Sequence, residues 1–76
     1  MPKIGPVPPD KIIKLLTREG FQVVRQSGSH VILVREGVRT VVPVHPGKDV
    51  KPGLVRAIIR ESKLSRKRFF ELLEKA

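Results

Sequence analysis

The middle of the chain leaves little topological choice. Three short runs read as strands: Phe21–Gln26, which alternates only partly, His30–Arg35, which is rich in β-branched residues, and Val38–Val44. Only Ser27-Gly28-Ser29 and Glu36-Gly37 separate them. Gaps this short cannot hold a crossover, so successive runs must pair antiparallel as a meander. Pro43 has no amide hydrogen to give to a ladder, so it closes the third strand or lies on an edge. If Glu36-Gly37 is a two-residue turn, Arg35 faces Val38 and His30 faces Pro43. His45 then lies one diagonal step further, on the same face as His30. A three-residue turn would put the two histidines on opposite faces.

Helical patterns flank the meander. Pro9 and Asp10 suit a first turn, and Ile12, Ile13, Leu15 and Leu16 follow at helical spacing with Lys11, Lys14 and Arg18 on the other side. Gly20 is a C-terminal stop, so helix 1 is expected over about residues 9 to 19. After the loop His45–Lys51, Pro52 opens a second helix with Leu54, Val55, Ile58 and Ile59 as its stripe. Ser65 can cap a third, whose apolar face is Phe69, Phe70, Leu72 and Leu73. The order α-β-β-β-α-α predicts an α+β fold, a two-layer α/β sandwich with helices over one sheet face. Strands 2 and 3 are apolar on both sides, so the pattern does not say which face stays free. That face is either a second protein surface, for a partner or another copy of the chain, or is covered by basic side chains and the N-terminal arm.

At 76 residues the chain is expected to form one domain with a modest core. Four of the seven prolines fall in the first nine residues, and residues 1–8 read as an extended arm outside the structured part. There is no cysteine, which excludes disulfides and thiolate metal sites. No apolar run could span a bilayer and the start does not resemble a signal peptide, so a cytoplasmic protein without a membrane role is expected.

Charge narrows the function. Sixteen Lys and Arg against seven Asp and Glu leave +9, a balance that favours polyanions, with nucleic acid the commonest. Three Phe without Tyr or Trp argue against stacking of bases on an aromatic sheet. No glycine-rich loop has phosphate-binding spacing, and Glu19, Glu36 and Glu61 form no visible carboxylate pair. The stretch with chemical content is Arg25-Gln26-Ser27-Gly28-Ser29-His30. It sets an imidazole, the side chain best suited to move protons near neutral pH, beside backbone that a ligand can approach. Taken alone, a lone histidine is more often a surface or hydrogen-bonding residue. Ser27 and Ser29 read as turn residues. Two histidines with only Asp49 nearby are not a ligand set, so neither a metal nor a cofactor is expected. Arg66, Lys67 and Arg68 cluster at the start of helix 3, the wrong end for its dipole; they hint at an acidic partner or are an ordinary solvated face.

Taken together, Gly20-Phe21, Arg25, Gly28-Ser29-His30, Val42-Pro43-Val44-His45 and Lys51-Pro52-Gly53-Leu54, with Ile58 beyond, resemble the HicA (YcfA-like) toxins of bacteria and archaea. The resemblance runs from helix 1 to helix 2. The start up to Pro9 has no counterpart, and the segment after Leu64 varies in such proteins. The resemblance implies a fold like the double-stranded RNA-binding domain and a ribosome-independent mRNA interferase. It also implies neutralisation by a HicB-type antitoxin that covers the active site. The family's catalytic histidine, in Gly-Ser-His, is His30 here. We expect Arg25, Gly28, Ser29, His45, Lys48 and Lys51 to hold the RNA, and a second copy of the chain is a further candidate partner. The readings from other classes are an RNA-binding module without chemistry and a protein-interaction subunit.

Overall fold

The computed structural model describes residues 4–76. Its elements are α1 (Pro9–Arg18), β1 (Gln22–Ser27), β2 (His30–Arg35), β3 (Val38–Pro43), α2 (Pro52–Ser62) and α3 (Arg66–Lys75). The strands form one antiparallel sheet in the order β1-β2-β3. The α+β class and the element order are those expected, and they fit a fold like the double-stranded RNA-binding domain.

Two turns set the register. Glu36 and Gly37 both have positive φ, 48° and 80°, the pattern of a type I′ hairpin turn, whose twist matches that of the strands it joins. Arg35 therefore pairs with Val38 and His30 with Pro43, as counting from a two-residue turn requires. In the first hairpin Ser27 pairs with His30 around Gly28-Ser29. Gly28 is at φ 58° and Ser29 is not among the positive-φ residues, the pattern of a type II′ turn with glycine first. β1 is irregular between Val23 and Arg25, where the register shifts by a bulge. This is why its apolar residues alternate only in part: Val24 is the extra residue, and it faces outward with Val34.

The register also sorts the two sheet faces. Val31, Leu33, Thr40 and Val42 are buried under the helices. Ile32, Val34 and Val41 are half-buried on the other face, beside Arg25 and Arg39. α1 lies over β1 and β3, α2 runs along β3, and α3 packs on α1 instead of on the sheet. The core joins Ile12, Leu15 and Leu16 to Phe21, Leu33, Val42, Val55, Ile58 and Phe69.

The helix ends are tied by identifiable contacts. Arg35 donates to the Glu19 carbonyl at 2.7 Å and lays its guanidinium 4.7 Å from the Phe21 ring centre, so a strand residue caps α1. Ser65 accepts from the Arg68 amide at 3.1 Å, the cap expected for α3. Arg68 reaches back with a two-pronged bond to Glu19, 3.0 Å on each arm. One cation of the Arg66–Arg68 cluster therefore joins α3 to α1 and is not displayed for a partner.

The N-terminal arm differs from expectation. Its first three residues lie outside the described residues. From Ile4 onward it is extended but belongs to the core: Ile4 and Val7 are 6% and 4% exposed. Val7 exchanges two backbone hydrogen bonds with Val50, at 3.1 and 2.8 Å. An extended segment needs partners for its amides and cover for its apolar side chains, and the strand-like stretch before α2 supplies both. The arm is thus spent beside α2, with Ile4 near Ile59.

Candidate active site

The sequence folds locally to present His30. The Gly28 turn delivers it as the first residue of β2, exposed and on the outward face. Ser27 lies directly across on β1 and Pro43 directly across on β3. Arg25 pairs with Ile32, two residues beyond His30. Arg25 is therefore a diagonal same-face neighbour of His30, a relation that spans about 7–8 Å between backbones.

α2 closes the other side. His30, Val41 and Pro43 face Leu54, Ala57, Ile58 and Glu61 across a hollow of about 220 Å³. The Glu61 carboxylate is held by the Thr40 hydroxyl, which donates to Oε1 at 3.1 Å. Thr40 is buried, so this bond also satisfies a hydroxyl that would otherwise be orphaned.

A second hollow of about 360 Å³ adjoins the first and shares Pro43 and Leu54 with it. Its remaining walls are His45, Lys48, Asp49, Val50 and Lys51. Local chemistry explains why these come together. In His45-Pro46-Gly47-Lys48, proline holds the second position and Gly47 the third at φ 73°, a type II pattern closed by the Lys48 amide donating to the His45 carbonyl at 3.0 Å. The turn doubles the loop back and sets Lys48 beside His45. The Val44 amide donates to the Ser29 carbonyl at 2.6 Å, tying the segment that carries His45 to the turn that carries His30.

The structure therefore brings His30 and His45 to one end of the sheet, in neighbouring hollows. Lys48 and Lys51 stand around His45, and Gly28 and Ser29 form the adjacent turn. Arg25 lines neither hollow and lies on the open sheet face beside them. Pro43, Leu54 and Glu61 were not singled out from the sequence as site residues. The available signal was the seven-residue spacing of Leu54 and Glu61, which puts both on one face of α2, together with an apolar Leu54 left 48% exposed.

A larger hollow, about 590 Å³, lies elsewhere, at the far end of the sheet around Gln22, Val24, Val34 and Arg35. Its guanidinium is already committed to the end of α1 and it contains no imidazole, so the smaller hollows are the chemically better candidates. Among the described residues, no three His, Asp or Glu side chains come together in a way that could hold a metal ion. No described helix is long and apolar enough to cross a membrane.

No curated protein matches the chain. The family model described as HicA toxin of bacterial toxin-antitoxin matches residues 9–64. The matched stretch begins with α1 and ends just past α2, so it contains the sheet, both histidines and both hollows. Over that span, and therefore over most of its length, the chain belongs to the HicA toxin family.

Proposed function

We propose that this toxin of a toxin–antitoxin system is a cytoplasmic endoribonuclease that cuts single-stranded mRNA, with His30 as the catalytic residue. One observation carries the reading: an exposed imidazole, held at a strand start by a glycine turn, opens onto a hollow adjoining a second one lined by His45, Lys48 and Lys51. RNA brings its own nucleophile, the ribose 2′-OH. His30 takes its proton, the 2′-oxygen bonds to phosphorus, and the bond from phosphorus to the 5′-oxygen breaks. The 5′-oxygen leaves with a proton from water, and the other product is a 2′,3′-cyclic phosphate. Arg25, on the same face as His30, and Lys48 and Lys51 next door supply positive charge where the phosphate becomes more negative. The Gly28-Ser29 backbone lets the phosphate approach, and His45 helps hold the strand. A HicB-type antitoxin that covers these hollows would silence the site.

The test is incubation of labelled single-stranded RNA with the protein in EDTA, beside His30→Ala. The expected result is cleavage to a 2′,3′-cyclic phosphate by the wild type only, with DNA of the same sequence left intact. Cutting that EDTA abolishes would refute the metal-free route. Binding without cutting by both proteins would leave an RNA-binding module.

A further inference from the structure

α2 borders a further hollow on another face. Leu54, Ala57 and Glu61 share the side turned to His30, and helical geometry carries Arg56 and Arg60 about a third of a turn further round the helix, onto a neighbouring face. There they converge with Arg66, the first residue of α3, around a separate hollow of about 280 Å³ whose apolar wall is Ile4 and Ile59. Among the described residues, no acidic side chain lines it. The one ion pair among the described residues joins Arg68 to Glu19, so it neutralises none of these three cations.

The arrangement is electrostatically unfavourable when empty. Arg56 and Arg60 stand four apart, a spacing at which like charges on a helix repel. Arg66 sits in the first turn of α3, where the helix dipole already presents positive charge. Both costs become gains when an anion enters. Guanidinium is also the cation whose planar fork matches phosphate oxygens two at a time. The concavity exists because the arm docks there, since Ile4 forms part of its wall.

We propose that Arg56, Arg60 and Arg66 form a second phosphate-binding site that grips the backbone of a single-stranded RNA away from the bond being cut. The proposal rests on the reading of the chain as an RNA-acting protein, but it needs only binding, not cleavage. Because the site and the His30 hollow are walled by different faces of α2 and share no lining residue, only an RNA long enough to pass round the helix engages both. A dinucleotide engages the His30 hollow alone.

The experiment measures fluorescence anisotropy of a labelled 20-nucleotide RNA with His30→Ala protein, so that the RNA stays whole. The same protein is then compared with R56Q/R60Q/R66Q added. A charge-matched control carries K11Q/K14Q/K75Q, all exposed lysines. Thermal melts confirm that each variant is folded. The expected result is at least tenfold weaker binding by the arginine variant. Its log affinity against log salt should be shallower by about 2, since each lost phosphate contact on a single strand removes about 0.7. In an otherwise wild-type background, dinucleotide cleavage should be unchanged. Equal weakening by the lysine control overturns the site in favour of general charge. Unchanged RNA binding also overturns it, and if an acidic protein partner is then lost instead, the surface is a protein interface. Failure of the wild type to cut any RNA, with the arginine effect on binding intact, would sink the catalytic reading and leave this one standing.

Discussion

Gly28 is where stability and function can be separated most cleanly. It holds φ at 58°, yet a Cβ built on it meets nothing within 4 Å. Replacement by L-alanine therefore creates no clash, and its whole cost is the left-handed backbone. That conformation costs an L-residue about 1–2 kcal/mol. For a domain of this size, each kcal/mol corresponds to about 4–8 °C in Tm, so Gly28→Ala should melt about 4–16 °C below the D-alanine variant, whose effect on the unfolded chain is the same. D-alanine, which prefers positive φ, should avoid this loss. It should even add about 0.4–1 kcal/mol by narrowing the unfolded ensemble. The chain is short enough for chemical synthesis, and thermal denaturation by circular dichroism reads both variants. The two should part in RNA cleavage as well. D-alanine keeps the fold but puts a methyl group on the turn beside His30, so it should lower cleavage without lowering Tm if the phosphate passes close to that backbone. Equal destabilisation by L- and D-alanine would refute the reasoning, because the glycine would then be required for space and not for its dihedral angle.

Other outcomes follow from the same contacts. Lys63 ends α2 in the left-handed conformation at φ 66°, so Lys63→Gly should stabilise by about 0.5–1 kcal/mol in urea unfolding. Leu33, fully buried at the centre of β2, should cost about 2–5 kcal/mol on truncation to alanine, with a lower urea midpoint and an unchanged slope. The hydrogen bond and charge of Arg68 hold the Glu19 carboxyl below its ordinary range, against a smaller opposing effect of burial. A depressed carboxylate pKa stabilises the fold above the unfolded value of about 4.3, and that contribution is lost as pH falls through the folded value. Wild type should therefore exceed Glu19→Gln in Tm at pH 7, with the gap closing toward pH 3. A constant gap would show that the ion pair contributes nothing beyond shape.

Much of the backbone plan was legible from local chemistry. Pro9 with Asp10 marks the start of α1, Ser65 caps α3, and Glu36-Gly37 supports the count that pairs His30 with Pro43. Each of these depends on residues within a few positions of one another, so one sequence carries the whole cause. The helix that closes the candidate site was legible as a helix, but its role was not. Glu61 looked isolated because its partner, Thr40, lies on a strand and meets it only when α2 packs along β3. Arg68 looked like part of a charged cluster because Glu19 lies forty-nine positions away.

The sequence by itself determined the order of elements, the antiparallel meander and the positions of its turns, because dihedral preference and hydrophobic period act over one or two turns of chain. Only the tertiary structure decided which sheet face is buried, since strands apolar on both sides fit either way and the helices make the choice. It also decided that the proline-rich arm joins the core, because Val7 finds its backbone partner in Val50 only after the sheet has brought the chain back. The same packing gives α2 its two faces, one toward His30 and one toward three arginines from two helices. Proximity between distant segments is set by how the layers cover one another's apolar surface, and no single stretch of sequence contains that information.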